Sequence, residues 1–216
     1  GSDLETVTIE GDQDLALSDG NDGFANVTEV SAGTFTGNLT LDLVSNGPNN
    51  EDVTVTTGSG NDLLEIAQAQ LNTSDTIDLG GGTNTLRFDG AGAAALTSGQ
   101  AANVSNVGQL EVEDNDNGSG FGTLEADAVS AADTFVIDIA DNNDTNSTTN
   151  DLAIDNIENG DTVRNVDGTG VDADDGTTLN LSTDGNDTNA DTVDVELNAD
   201  LNSLTAVDIE TLNLTT

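Results

Sequence analysis

Only Arg87 and Arg164 carry positive charge in a 216-residue chain that holds 42 aspartates and glutamates, no lysine and no histidine, for a formal charge of −40. No compact fold can neutralise that imbalance with its own ion pairs. Ions from solution have to do it, and carboxylates grouped in oxygen-rich turns favour a hard divalent cation, calcium first. Low hydrophobicity with high net charge also borders on the composition of disordered chains. Apolar residues make up 34% and aromatic ones 2%, with five Phe and no Trp or Tyr. The core is therefore expected in thin layers of Leu, Val, Ile and Ala, and the fold is expected to depend on ions.

The same composition removes several function classes. Without cysteine there is no disulfide framework and no thiolate metal site, so bound ions are left as staples for a small fold. No stretch approaches the roughly 20 apolar residues that span a bilayer. A surface this acidic repels nucleic acid and anionic lipid, so neither nucleic-acid binding nor membrane insertion is expected. Catalysis lacks His, Cys, Lys and Tyr, the usual bases and nucleophiles. Two carboxylates alone can cleave a glycosidic bond, but no Trp or Tyr is present to stack a sugar, and no enzyme is expected.

Three patterns recur along the chain. The first is an alternating apolar run that ends in a Gly-Asn-Asp turn: Leu15 to Asp22, Val53 to Asp62 and Leu179 to Asp187. Period-two alternation reads as a half-buried strand closed by a turn. The second is Asp-Thr followed by alternation, at Asp75-Thr76, Asp133-Thr134 and Asp191-Thr192. The third is an apolar-Glu strand beginning at Leu4-Glu5, Leu110-Glu111 and Ile209-Glu210. The spacing of these three copies suggests two β-rich modules, 3–113 and 114–216. Ala93 to Val107 is the best helix candidate, with Ser98 able to cap its second half, and Ala199 to Ala206 is a shorter one. The rest reads as short strands and turns, an all-β chain.

A Gly-x-Gly-Asn-Asp turn suits calcium, which takes six to eight oxygens from carboxylates, amides and backbone carbonyls. Glycine permits positive φ, which lets successive carbonyls converge, and the aspartate supplies charge. Thr57-Gly58-Ser59-Gly60-Asn61-Asp62-Leu63-Leu64 resembles the Gly-Gly-x-Gly-x-Asp-x-apolar repeat of RTX proteins, with Thr57 in place of the first glycine. Gly80-Gly81-Gly82-Thr83-Asn84-Thr85-Leu86 is a weaker copy, with Thr85 read at the aspartate position. The wider pattern of strand, Gly-Asn-Asp turn, Asp-Thr strand, Ala-rich segment and apolar-Glu strand resembles calcium-dependent surface-layer and giant cell-surface proteins of Gram-negative bacteria. The RTX repeats usually run in tandem, whereas here the turns are isolated.

That resemblance implies an all-β, parallel β-solenoid-like body with calcium-binding turns and one or two short helices, tandem β-sandwich modules being the alternative. It implies Ca²⁺ held by Asp19, Asn21 and Asp22; by Asp62, with Asn61 and the carbonyls of Gly58 and Gly60; and by Asp184, Asn186 and Asp187. Asp75, Asp78, Asp191 and Asp194 would complete these sites from the neighbouring strand. It further implies secretion, a cell-surface location and self-assembly, with other copies of the chain as partners and cell-surface polysaccharide as a further one. Gly1-Ser2 reads as a cloning scar, and the chain as a piece of a longer secreted protein.

Two other functional readings stand beside this one. A repeat of a large adhesin would bind a glycan or another cell. A halophilic surface protein would use its acids for hydration and hold no specific ion. The 42 acids divide into 31 Asp and 11 Glu, and the bias toward Asp beside Gly and Asn favours ions held in turns. Glu113 to Gly118 resembles the start of an EF-hand loop, but Leu124 stands where its final Glu is required. Asp172 to Gly176 reads as a solvated turn. Asn-x-Ser/Thr matches at Asn26, Asn38, Asn72, Asn103 and Asn146 are expected by chance in a chain this rich in Asn and Thr. Arg87 and Arg164 are expected to pair with neighbouring carboxylates.

Overall fold

Alternation decides the local structure. In Leu39-Thr40-Leu41-Asp42 the two leucines are buried and Thr40 is exposed, the pattern of a strand with one face inward. A three- or four-residue strand of this kind cannot bury its apolar face alone. It has to be stacked on copies of itself, which is what a solenoid does. The computed structural model describes residues 4–18, 24, 26–44, 52–67, 70–89, 96–114, 122–129, 131–139, 150–167, 177–183, 190–198 and 201–216.

Among these residues the strands are β1 (Thr6–Thr8), β2 (Leu15–Ser18), β3 (Glu29–Ser31), β4 (Leu39–Asp42), β5 (Thr54–Thr56), β6 (Leu63–Ala67), β7 (Thr76–Asp78), β8 (Thr85–Asp89), β9 (Val104–Ser105), β10 (Gln109–Asp114), β11 (Thr123–Glu125), β12 (Thr134–Ile139), β13 (Asn150–Asp155), β14 (Thr162–Asp167), β15 (Thr177–Ser182), β16 (Thr192–Leu197), β17 (Leu201–Val207) and β18 (Thr211–Thr215). Every pairing between them is parallel. The even strands form one nine-stranded sheet from β2 to β18. The odd strands form a five-stranded sheet, β1 to β9, and a four-stranded sheet, β11 to β17. The chain is a parallel β-solenoid: each coil lays one strand on each face, and the sandwich alternative is not what it adopts.

Register turns the sequence alternation into columns. The inward column of the nine-stranded sheet runs Leu17, Leu41, Leu64, Leu86, Leu110, Phe135, Val163, Val195 and Leu214. Val7, Val30, Val55, Ile77 and Val104 form the inward column of the five-stranded sheet. Leu64, Leu86, Leu110, Val55 and Ile77 are fully buried. Branched aliphatic residues suit a core only two side chains deep, which accounts for a fold without Trp or Tyr. Burying a side chain of this size is worth about 1.5–3 kcal/mol.

Coil length is not constant. One coil advances 22 residues from Asp62 to Asn84, another 32 from Arg164 to Glu196, and another 19 from Asp194 to Asn213. Only the strands and corners need to stay in register, and loops absorb the difference. The three apolar-Glu segments therefore do not occupy equivalent places. The first leads into β1 on one face, the second lies in β10 on the other, and the third leads into β18. The module boundary placed at residue 113 falls inside β10, which pairs with both β8 and β12.

Neither expected helix forms among the described residues. Within Ala93–Val107, residues 93–95 lie outside those described. Leu96 makes a parallel bridge to Leu124, residues 98–103 turn, and Val104–Ser105 is β9. The ends of the segment bond to neighbouring coils, Leu96 N–H to Thr123 O at 3.0 Å and Asn103 O from Ile77 N–H at 3.0 Å, while its middle is held by local turns, Ala101 N–H to Thr97 O at 3.2 Å and Val104 N–H to Ala101 O at 3.0 Å. Ala101 and Val107 are buried at the seam. Of Ala199–Ala206, residues 199 and 200 lie outside those described, and the rest is strand β17, paired to β15 through a register shift at Thr177/Thr178. An exposed ladder on the preceding coil offered these weak helix formers partners outside the segment, and tertiary pairing prevailed over propensity. Among the described residues a 3-10 turn covers Ala126–Ala128.

Candidate functional site

The acids and glycines meet where an odd strand hands over to the next even strand. In the first half these corners carry Gly37-Asn38, Gly58 to Asp62, and Gly80 to Asn84. The glycines there are dictated by contact. A Cβ on Gly60 would overlap the carbonyl of Gly37, one on Gly82 the carbonyl of Gly60, and one on Gly58 the carbonyl of Phe35. Gly58 and Gly60 are not at positive φ, unlike Gly80 (+65°) and Gly82 (+97°). Their purpose in the motif is thus close stacking of coils, which corrects the expectation that they serve to turn carbonyls onto one point.

Two hydrogen-bond ladders climb this corner. In the outer one, each side-chain oxygen accepts a backbone N–H from the next coil: Asp14 from Asn38 at 2.9 Å, Asn38 from Asn61 at 2.8 Å, and Asn61 from Thr83 at 2.8 Å. The inner ladder runs the opposite way. Leu39 N–H donates to Asp62 Oδ1 at 2.8 Å, and Asp62 N–H donates to Asn84 Oδ1 at 2.9 Å. Asn84 closes it by donating Nδ2 to the carbonyls of Leu79 at 2.7 Å and Asn106 at 2.9 Å. Register therefore sets Gly82 on Gly60 and Asn84 on Asp62. The weaker motif copy carries an amide at the aspartate position, one residue before the Thr85 that the spacing suggested.

Asp62 is 2% exposed, and its Oδ2 has no hydrogen-bond partner; the buried hydroxyl of Thr57 at the same corner has none either. These two oxygens have spare capacity for a cation. The Gly58 carbonyl already accepts Gly81 N–H at 2.8 Å, and no second carboxylate joins Asp62. Among the described residues no three acidic side chains gather closely enough to hold a metal ion. One carboxylate and one hydroxyl fall short of a protein-only calcium shell, so water would have to supply most of the ligands.

The remaining candidates divide by position. Asp75 is buried with both oxygens used, accepting Val53 N–H at 2.8 Å and Asn72 N–H at 2.7 Å. Asp78 Oδ1 accepts from Gly80 N–H at 3.0 Å and Asn106 Nδ2 at 2.6 Å. Asp194 Oδ1 accepts from Asn213 Nδ2 at 2.7 Å. Asp191 is buried, its own N–H donating to Glu210 Oε2 at 2.9 Å. In Asp75-Thr76 the carboxylate at a strand start thus ties two backbone N–H groups, whereas that of Asp133 accepts the Thr134 hydroxyl at 3.0 Å. Asp19, Asn21, Asp22, Asp184, Asn186 and Asp187 lie outside the described residues, as do Asp172 to Gly176, Asn115 to Gly118 and Asn146.

A fourth Asp-Thr, Asp161-Thr162, went unnoticed in the sequence because Arg164 and Asn165 interrupt the alternation after it. Asp161 is 6% exposed and accepts Glu158 N–H at 2.9 Å. Burial pushes its carboxyl up to about 6 against the lowering effect of that N–H, and the charges of Glu158 and Asp133 push the same way as burial. Nearby, a cleft of about 370 Å³ is lined by Asp127, Asn156, Ile157, Glu158, Asn159, Thr183 and Asp191. Gly160 has nothing within 4 Å of a built Cβ. The second-half corner is open and acidic where the first-half corner is closed by glycine.

Outside the corners, register stacks charge. Asp42 faces Glu65, and Glu125 faces Asp155. Neighbouring strands are about 4.8 Å apart, and like charges directly opposite destabilise a sheet. Both arginines fall in the outward column Asp42, Glu65, Arg87, Glu111, Val136, Arg164, Glu196. Arg87 pairs with Glu111 at 2.9 Å and Glu65 at 3.7 Å, and Arg164 with Glu196 at 2.6 Å, as the sequence suggested. Asn165 is fully buried in an inward column between Ile137 and Leu197, with neither amide atom hydrogen-bonded. No known family model matches the chain, and neither a curated protein nor a solved structure is significantly similar to it.

Proposed function

We propose that this chain is a structural, self-associating module of a secreted cell-surface protein, and that calcium stabilises its fold. The observation that carries the reading is the stacking of like charges. A solenoid held in register places carboxylate over carboxylate on successive coils, with two arginines to offset 42 acids. Divalent cations bridging or screening such pairs would lower the cost of the folded state alone, so ion binding becomes folding free energy. The uncommitted oxygen of Asp62 and the acid-lined cleft beside Asp191 are the described places where an ion would gain most.

A second reading has its own support. With no three acids gathered at one point among the described residues, screening by any salt would suffice, as for a halophilic surface protein. Thermal unfolding followed by circular dichroism after EGTA treatment separates the two, repeated in millimolar Ca²⁺, in Mg²⁺ and in high NaCl. Stabilisation by Ca²⁺ well above that by Mg²⁺ supports the calcium reading. Equal rescue by NaCl overturns it in favour of screening.

A further inference from the structure

Two buried polar side chains burden the same strand. The inward column Ile66, Phe88, Val112, Ile137 is interrupted at β14 by Asn165, whose amide is fully buried and bonds to nothing. At the corner that opens β14, the Asp161 carboxylate is buried and accepts Glu158 N–H. Both raise the free energy of the closed coil alone, because water satisfies them once the coil opens. The groups around Asp161 are acids on every side. Glu158 shares its turn, and Asp133 stands at the corner of the preceding coil, where its carbonyl accepts Thr162 N–H at 2.9 Å. Asp191 and Asp194 flank it from the next coil, with Glu210 bonded to Asp191 N–H, and Asp127 lines the cleft alongside. Both arginines are engaged elsewhere, Arg87 with Glu65 and Glu111 and Arg164 with Glu196.

We propose that the junction between β14 and β16 is a proton-controlled opening point of the solenoid, shut while the Asp161 carboxyl is protonated and loosened when it ionises. Among the bonds that cross this junction are Gly160 N–H to Thr192 O at 2.8 Å, Thr192 N–H to Asn159 Oδ1 at 3.0 Å, Asp194 N–H to Asp161 O at 3.0 Å and Asn198 N–H to Asn165 O at 2.9 Å. Two of them end on the carbonyls of Asp161 and Asn165 themselves, so hydrating either side chain works against the bonds that close the coil. Burial, opposed by Glu158 N–H and aided by the charges of Glu158 and Asp133, holds the carboxyl at about 6 in the closed state, against an ordinary 3.8. The shut junction therefore binds this proton more tightly, and that advantage is full below about pH 4 and lost as pH rises through about 6. Between pH 5 and pH 7 the opening constant should rise about tenfold. The device is internal to the coil stack and does not rest on the calcium reading.

Hydrogen exchange of the 216-residue chain, followed by NMR in one CaCl₂ buffer at pH 5 and at pH 7, tests this. Each rate is divided by the intrinsic rate at its pH, so that only protection is compared. In wild type the protection of Asp194 and Asn198 N–H should fall about tenfold from pH 5 to pH 7. Thr85 N–H, bonded to Asp62 O at 2.8 Å in the first half, should stay nearly unchanged. Asp161→Asn should keep the junction as protected at pH 7 as at pH 5. Asn165→Leu should raise protection there by the same factor at both pH values and leave the pH dependence in place; should it fail to fold, Asn165→Val replaces it. An equal fall at Thr85 would mean that the whole solenoid loosens together and would overturn the proposal. So would a pH dependence that survives in Asp161→Asn, or junction amides as protected as Thr85 at pH 7.

Discussion

The two halves of this solenoid make the same turn in opposite ways. At the Gly58–Asp62 corner the coils are pressed together until only glycine fits, and Oδ1 of Asp62 and of Asn84 each accept a backbone N–H from the preceding coil. At the Asn156–Asp161 corner Gly160 faces open space, a cleft opens beside Asp127, Glu158 and Asp191, and the buried carboxylate of Asp161 sits among like charges. Similar ingredients, Gly, Asn and Asp, thus yield a closed hydrogen-bonded joint in one half and an open acidic one in the other. The difference shows that such a turn signals a corner, and that the stacking of the coils decides how tightly that corner is closed.

The largest predicted effect falls on the closed corner. Gly60→Ala drives a Cβ into the backbone of the coil below and is expected to cost more than about 4 kcal/mol, enough to unfold a marginal domain. Gly160→Ala meets no atom and bears only the strain of its φ of +100°, about 1 kcal/mol. Urea unfolding in Ca²⁺ buffer compares them, and equal losses would break the distinction between the corners. Asn84→Ala follows, because it orphans Asp62 N–H and the carbonyls of Leu79 and Asn106 together. A loss of about 2–4 kcal/mol is expected.

Asp161→Asn should act in the opposite direction. Its folded pKa of about 6 lies above the ordinary aspartate value of 3.8. The folded chain therefore holds this proton more tightly, and the unfolded chain binds fewer protons between those values. Stability linked to Asp161 is full below about pH 4 and is lost as pH rises through about 6. The asparagine keeps an oxygen for Glu158 N–H and removes the charge, so at pH 7 it should gain up to about 3 kcal/mol. The gain should vanish at pH 4 in paired unfolding curves; a gain independent of pH would mean the charge is not its source.

Asn165→Leu removes two unbonded buried amide atoms and should gain about 1–2 kcal/mol if the column accepts its volume. A loss there would reveal that the amide has found a partner such as buried water. The smallest contrast is between the arginines. Arg87→Gln leaves Glu65 and Glu111 facing each other across its place and should cost about 1 kcal/mol. Arg164→Gln, with one glutamate partner and greater exposure, should cost about 0.5 kcal/mol. High salt should shrink both differences.

Much of this was legible in the residues themselves. Alternation located about half of the strands, Gly60-Asn61-Asp62 and the Asp-Thr patterns located corners, and the absence of Trp and Tyr implied a thin core. The charge excess is the ground on which cations are proposed as a condition for compactness. All of these are local or summed properties, visible because strand period, turn chemistry and charge need no knowledge of what lies across the coil.

Register belonged to the tertiary structure alone. It set Asn84 on Asp62, both arginines in one column and Asn165 in the core. A coil of variable length hides those neighbours from any fixed period in the sequence. It also made strand and turn of the Ala-rich segments, since Leu96, Asn103 and β17 find backbone partners on neighbouring coils. Which residues stand over one another is a long-range fact, decided when each coil settles on the one before it.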